Sequence, residues 1–271
     1  MRNLIKMDIH RLFKTSSFYV GLVISAALSA LAIVIFGIVN LFIPYMTEEV
    51  MFTLSMMFPS LAWAEGVSIF EIIFSGLSVI SLLIVCMLSA VYITEEQLSG
   101  YVKNIAGQVK TKSMMIASKF VTIALLTFCV MLAYSLGAVI AGLLFFHRTL
   151  NMSMMGAFFA AMFVKYLLYL SVGTIILFLC TLTKSKTLAI AIGVIFGTGI
   201  TGIAYSTCNM ILQFVLKIDV SIHSFVPDGL ISSIGLDSDP STLIHGAVVA
   251  ICYIVLFLIF SSSLVNKRDT R

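Results

Sequence analysis

Six apolar runs of 18 residues or more fill most of this 271-residue chain. About 20 residues at a rise of about 1.5 Å each cross a hydrocarbon core of about 30 Å, so each run reads as a transmembrane helix. In lipid the backbone must satisfy its own hydrogen bonds, and a helix does so within one segment. The runs lack the strict alternation of a membrane β-barrel. Composition agrees: 61% of the residues are hydrophobic and 10% charged, against about 45–50% and about 25% in soluble domains. The fold class expected is an all-α integral membrane protein. It has six transmembrane helices, an N-terminal amphipathic interfacial helix and short outer helices between helices five and six.

Charge sets the expected topology. Thirteen of the sixteen Lys and Arg fall in residues 1–17, the stretch Tyr92–Phe120, the Lys184–Lys186 turn and the tail. Eight of the twelve acids fall on or near the other side. Lys and Arg concentrate on the cytoplasmic side of bilayers, so both termini are expected in the cytoplasm. The basic residues then follow from topology and do not call for nucleic acid. The five cysteines form no C-x-x-C pair, and four of them (all but Cys208) lie in the expected spans. They read as apolar filler. The four histidines share no ligand spacing, so no metal is assigned.

The whole chain, 1–271, is one transmembrane domain. Residues 1–17 form the amphipathic helix. At about 100° per residue, Leu4, Ile5, Ile9, Leu12 and Phe13 share one half of the wheel, and Lys6, His10, Arg11 and Lys14 the other. Asp8 interrupts the apolar arc. The basic half is expected to face anionic headgroups. The apolar run that follows is too long for a signal peptide and five more follow it, so no cleavage is expected.

Helix one is placed at Phe18–Ile43, before Pro44, and helix two at Ser68–Thr94, with Glu71 in its first turn. Helix three takes Met114–Phe146, helix four Met154–Leu182, helix five Thr187–Tyr205 and helix six Leu243–Val265. Residues 206–242 form an extracellular segment whose first part, CNMILQFVLKI, is too short to span. Gly193 and Gly197 make a small-x-x-x-small pair suited to close helix packing. The GTGITG run beside them is the alternative, a hinge.

The chain carries no G-x-x-x-x-G-K-[ST], no G-x-S-x-G and no H-E-x-x-H, so no nucleotide-binding or hydrolytic motif is its own. The acids cluster near the expected surfaces, which gives no paired carboxylates at mid-bilayer. The chain therefore reads as a non-enzyme. One intramembrane charge stands out: Lys165, about a third of the way into helix four. Its stem either snorkels to the outer interface or pairs with Glu71; alternatively Lys165 and Glu71 line a substrate path or gate.

The central loop, residues 95–113, is the longest polar interval on the basic side. Glu95 and Glu96 close helix two, Ser99-Gly100 breaks it, and Tyr101–Gln108 forms a short helix with Tyr101, Val102 and Ile105 on one face. A rigid helix held between two spans suits docking into a groove of a soluble partner. An ordinary solvated loop is the plainer reading.

The run EEQLSGYVKNIAGQVKTKSMMIASKF resembles a pattern of permease subunits of bacterial ABC transporters of the type-2 permease family. Glu95, Glu96, Ser99, Gly100, Tyr101, Val102, Lys103, Asn104, Ile105 and Lys119 match it. Thr111-Lys112 replaces its usual Ser-Arg, keeping the charge without the guanidinium fork. The resemblance implies that this loop is a coupling helix docked on a separate ABC ATPase subunit, with ATP and Mg on that partner and no cofactor on this chain. It implies a second permease chain, identical or homologous, in the bacterial cytoplasmic membrane among its lipids. It implies export of a hydrophobic or amphipathic substrate, such as an antimicrobial peptide, an antibiotic or a lipid-like molecule. Two other readings stand beside it: an ATP-independent carrier or channel, and a non-transporting immunity or sensing subunit.

Overall fold

Long apolar runs with few polar breaks become long helices here, as their backbone requires. A computed structural model describes residues 2–42, 70, 73–74, 80–98, 112–146, 155–183, 185–198, 200–211, 213–214 and 222–267. No strand occurs among the described residues. Helix α1 is Arg2–Lys14 and α2 is Ser16–Phe42. Helix α3 is Ile80–Leu98, α4 is Ser113–Phe146 and α5 is Met155–Thr183. Helix α6 is Lys186–Gly197, α7 is Thr201–Ile211, α8 is Pro227–Ser233 and α9 is Pro240–Lys267. A single 3₁₀ turn, Ile222–Phe225, lies between α7 and α8.

Four of these helices are long and apolar enough to cross a membrane, or five if α6 and α7 are one broken span. That is fewer than the six expected from the sequence. The difference comes from two places. The expected second span, Ser68–Thr94, lies partly outside the described residues, and its described part, α3, carries Glu95 and Glu96. The expected fifth span, Thr187–Tyr205, is interrupted: α6 and α7 meet at a bend of 67°. The GTGITG run, named as the alternative hinge, is where the chain turns. Thr198 closes α6, its N–H donating to the Val194 carbonyl at 2.9 Å.

Helix α5 is the centre of the bundle, with 72% of its spanning stretch buried, while α9 is peripheral at 17%. Helices α3, α4, α8 and α9 all pack on α5, and α2 packs on α4. Small residues permit the closest approaches. A Cβ at Gly137 of α4 would collide with the Ala26 carbonyl of α2. A Cβ at Gly197 would come within 2.5 Å of the Leu83 Cα, and one at Gly193 within 3.2 Å of the Cys86 Cβ. The Gly193–Gly197 pair therefore seats α6 on α3, as its spacing predicts.

Polar side chains add contacts between helices. Tyr169 of α5 and Ser81 of α3 share a hydrogen bond of 2.8 Å. The Tyr166 hydroxyl donates to the Ala124 carbonyl of α4 at 3.2 Å, and the Ser25 hydroxyl of α2 donates to the Val130 carbonyl at 3.3 Å. In lipid such bonds between helices are worth about 0.6 kcal/mol on average. They fix register more than they add stability.

Candidate functional site

The N-terminal helix does not lie on the bundle by its apolar arc alone. Asp8 and Leu12, one helical turn apart, are its two buried residues, 4% and 1% exposed. A carboxylate buried without partners costs several kcal/mol, so Asp8 has to be met. Ser118 of α4 donates its hydroxyl to the Asp8 carboxylate. The Tyr92 hydroxyl of α3 donates to the Asp8 carbonyl at 3.1 Å. One residue of α1 thus reaches both α3 and α4. Lys6, His10 and Lys14 stay exposed, as the wheel predicts. Arg11 departs from that set and turns towards the bundle.

Arg11 meets Glu96 there. Its Nη1 lies 3.1 Å from Glu96 Oε1, and its guanidinium sits 5.9 Å from the centre of the Tyr92 ring. The other carboxylate oxygen, Oε2, pairs with Nζ of Lys119 on α4. Glu96 and Lys119 are 1% and 5% exposed. The cluster is thus Arg11–Glu96–Lys119 beside Asp8–Ser118, built from α1, the last turn of α3 and the second turn of α4. Two cations face two carboxylates, so the buried charge balances within the cluster.

The position matters as much as the charge. Glu96 lies two residues before the end of α3 and Lys119 six residues after the start of α4. Between those helices runs the stretch that carries Gly100, Tyr101, Val102, Lys103, Asn104 and Ile105. These six lie outside the described residues. Both of its roots are clamped to each other and to α1.

Glu95 and Lys112 are half-buried. Glu95 borders a shallow cleft with Leu12, Phe18 and Tyr92, where the α1–α2 turn meets α3. Thr15 makes that turn: its hydroxyl donates to the Arg11 carbonyl at 2.9 Å, and its carbonyl accepts from Phe18 N–H at 3.2 Å. The Lys112 carbonyl accepts from Met115 N–H at 3.1 Å and opens α4.

The structure separates the expected site residues into two groups. Glu96 and Lys119 come together, but their charges are spent on each other and on Arg11. Both were expected among the ATPase-coupling residues; buried as they are, they hold the two roots of the loop together. Asp8, Arg11, Tyr92 and Ser118 were missed. A signal did exist for Asp8, because an acid inside an apolar arc demands a partner.

No family model and no curated protein matches this chain.

Lys165 is elsewhere, and it does not snorkel. It is 1% exposed on the central helix α5. Its Nζ donates to the Phe74 carbonyl at 2.9 Å and lies 3.7 Å from the centre of the Phe74 ring. A carbonyl and a ring face are both electronegative, and a desolvated cation gains about 2 kcal/mol or more from such a ring. Glu71, its expected partner, lies outside the described residues. No group of His, Cys, Asp or Glu suited to a metal ion occurs among the described residues.

Proposed function

We propose that this chain is the transmembrane permease subunit of an ABC exporter in a bacterial cytoplasmic membrane. On this reading it has six spans, both termini are cytoplasmic and it works beside a second permease chain. Separate ATPase subunits bind ATP and Mg, grip the segment between α3 and α4, and so move a hydrophobic or amphipathic substrate. The observation that carries the reading is the clamp at both roots of that segment. A loop with independent roots would absorb a pull by bending. Here Glu96 ties α3 to α4 and to α1, so displacement of the segment must move three helices together. The matched residues Tyr101, Val102, Lys103 and Ile105 supply the gripped face.

Co-purification tests the reading. This chain is expressed with the ATPase encoded beside it, as wild type and with Tyr101→Ala plus Lys103→Glu. The ATPase is expected to come down with the wild type and to be lost with the variant. Equal recovery from both, or recovery from neither, overturns the coupling assignment. An ATP-independent carrier working through the buried Lys165 then replaces it.

A further inference from the structure

A second polar cluster lies at the opposite end of α3 from Glu96. It surrounds Asp228, in the short helix α8. Asp228 is 9% exposed. The Thr201 hydroxyl donates to Oδ2, and the Tyr205 hydroxyl donates to Oδ1 at 3.0 Å. Both donors come from α7, just past the 67° bend. Beside the carboxylate is a cavity of about 140 Å³. Leu82 and Phe196 give it an apolar wall, and Tyr205, His223 and Ser232 a polar one. The site is tightly built: a Cβ at Gly229 would collide with the His223 carbonyl. The His223 Nε2 is engaged with the Ser232 hydroxyl at 3.4 Å.

The arrangement selects a ligand by charge, size and polarity. Asp228 accepts from two hydroxyls. No Lys or Arg lines the cavity among the described residues. A buried carboxylate that meets hydroxyls, and no Lys or Arg among the described residues, keeps part of its desolvation cost. A cation entering the cavity offsets it. The volume holds several waters, each needing about 10–15 Å³, but falls below the about 300–1,000 Å³ of a site for a drug-sized molecule. It fits a headgroup. An ammonium has three donors, and the carboxylate and the Ser232 oxygen are acceptors on the polar wall. Leu82 and Phe196 suit the first carbons behind it.

We propose that this cavity binds a primary ammonium group carried on an apolar body, with Asp228 as its counter-ion. The amine belongs either to a lipid headgroup or to a separate amphiphile. The site gives the exporter reading a substrate class and rests on that reading for its meaning. Binding itself is measured on this chain alone. A failure of binding with ATPase capture intact therefore removes the site and not the coupling, and the reverse result removes the coupling and not the site.

The probe is n-butylammonium, titrated by calorimetry into the full chain in nanodiscs of phosphatidylcholine and phosphatidylglycerol, with empty discs as the blank. 1-Pentanol, one methylene longer, serves as the neutral comparison. Saturable binding of butylammonium and at least tenfold weaker binding of pentanol are expected. Charge-assisted hydrogen bonds are worth a factor of about ten or more, so Asp228→Asn is expected to lose binding by about that factor. Adding phosphatidylethanolamine to the discs separates the sources: competition assigns the site to a lipid amine, and its absence to a separate amphiphile. Equal binding of pentanol and butylammonium overturns the proposal, as does Asp228→Asn with wild-type affinity, or no saturable binding to the wild type.

Discussion

Glu96 holds two cations at once, Arg11 at 3.1 Å and Lys119 on its other oxygen. Removing a shared partner leaves like charges facing each other in a buried place, which costs about 3–5 kcal/mol. Glu96→Ala is therefore expected to destabilise the chain by about that much, read as denaturant unfolding in detergent micelles. Replacing the buried pair by apolar residues of similar length, Glu96→Leu with Lys119→Met, removes the unpaired lysine. Arg11, 27% exposed at its side chain, turns to solvent. This double variant is expected to cost less than Glu96→Ala alone, and a larger cost would show that the ions do not act as one unit. The resemblance named Glu96 and Lys119 for ATPase coupling, but their pairing with each other and with Arg11 was not legible, because spacing along a chain says nothing about which side chains a fold buries. Asp8 was legible only as an irregularity in an apolar arc. Asp228 gave no local signal at all, since Thr201, Tyr205 and Asp228 come together only through the bend after α6.

Asp8 makes two of the hydrogen bonds that hold helix α1 to the bundle. Asp8→Ala removes the acceptor for Ser118 while leaving the backbone carbonyl that Tyr92 uses. Faster hydrogen exchange over residues 2–14, with α5 unchanged, is the expected result; uniform exchange across both helices would place the anchor elsewhere. Helix α6 depends on a different device, close approach. Leucine at Gly197 would force its side chain into the Leu83 backbone. Overpacking of this kind costs about 1–3 kcal/mol, and Gly197→Leu is expected to lower thermal stability accordingly, whereas Gly202→Ala, where a Cβ meets nothing within 4 Å, is expected to leave it unchanged. At this scale the sequence was informative. The expected fourth span, Met154–Leu182, differs from α5 by one residue at each end, because an apolar run bounded by polar residues defines its own helix. Periodicity alone did not choose between an unbroken helix five and the bend at GTGITG; glycine and threonine permit both.

Helix α3 joins the two polar clusters. Leu82, on the wall of the Asp228 cavity, and Glu96, in the ionic clamp, are 14 residues apart on it. At about 1.5 Å per residue that is about 21 Å. Gly193 and Gly197 seat α6 against the same rod, and Ser81 ties it to the central α5 through Tyr169. The helix is continuous between the clamp and the cavity, so on the proposed reading a displacement at the clamp end reaches the bend through α3. The segment between α3 and α4 is where that displacement would enter. The direct measurement is site-specific photo-crosslinking in living cells, with p-benzoylphenylalanine at position 101. One major adduct is expected, containing an ATPase with a phosphate-binding loop, and it is expected to be lost when Lys103→Glu is added. Adducts to lipid alone, or an adduct whose yield Lys103→Glu leaves unchanged, would contradict the coupling assignment.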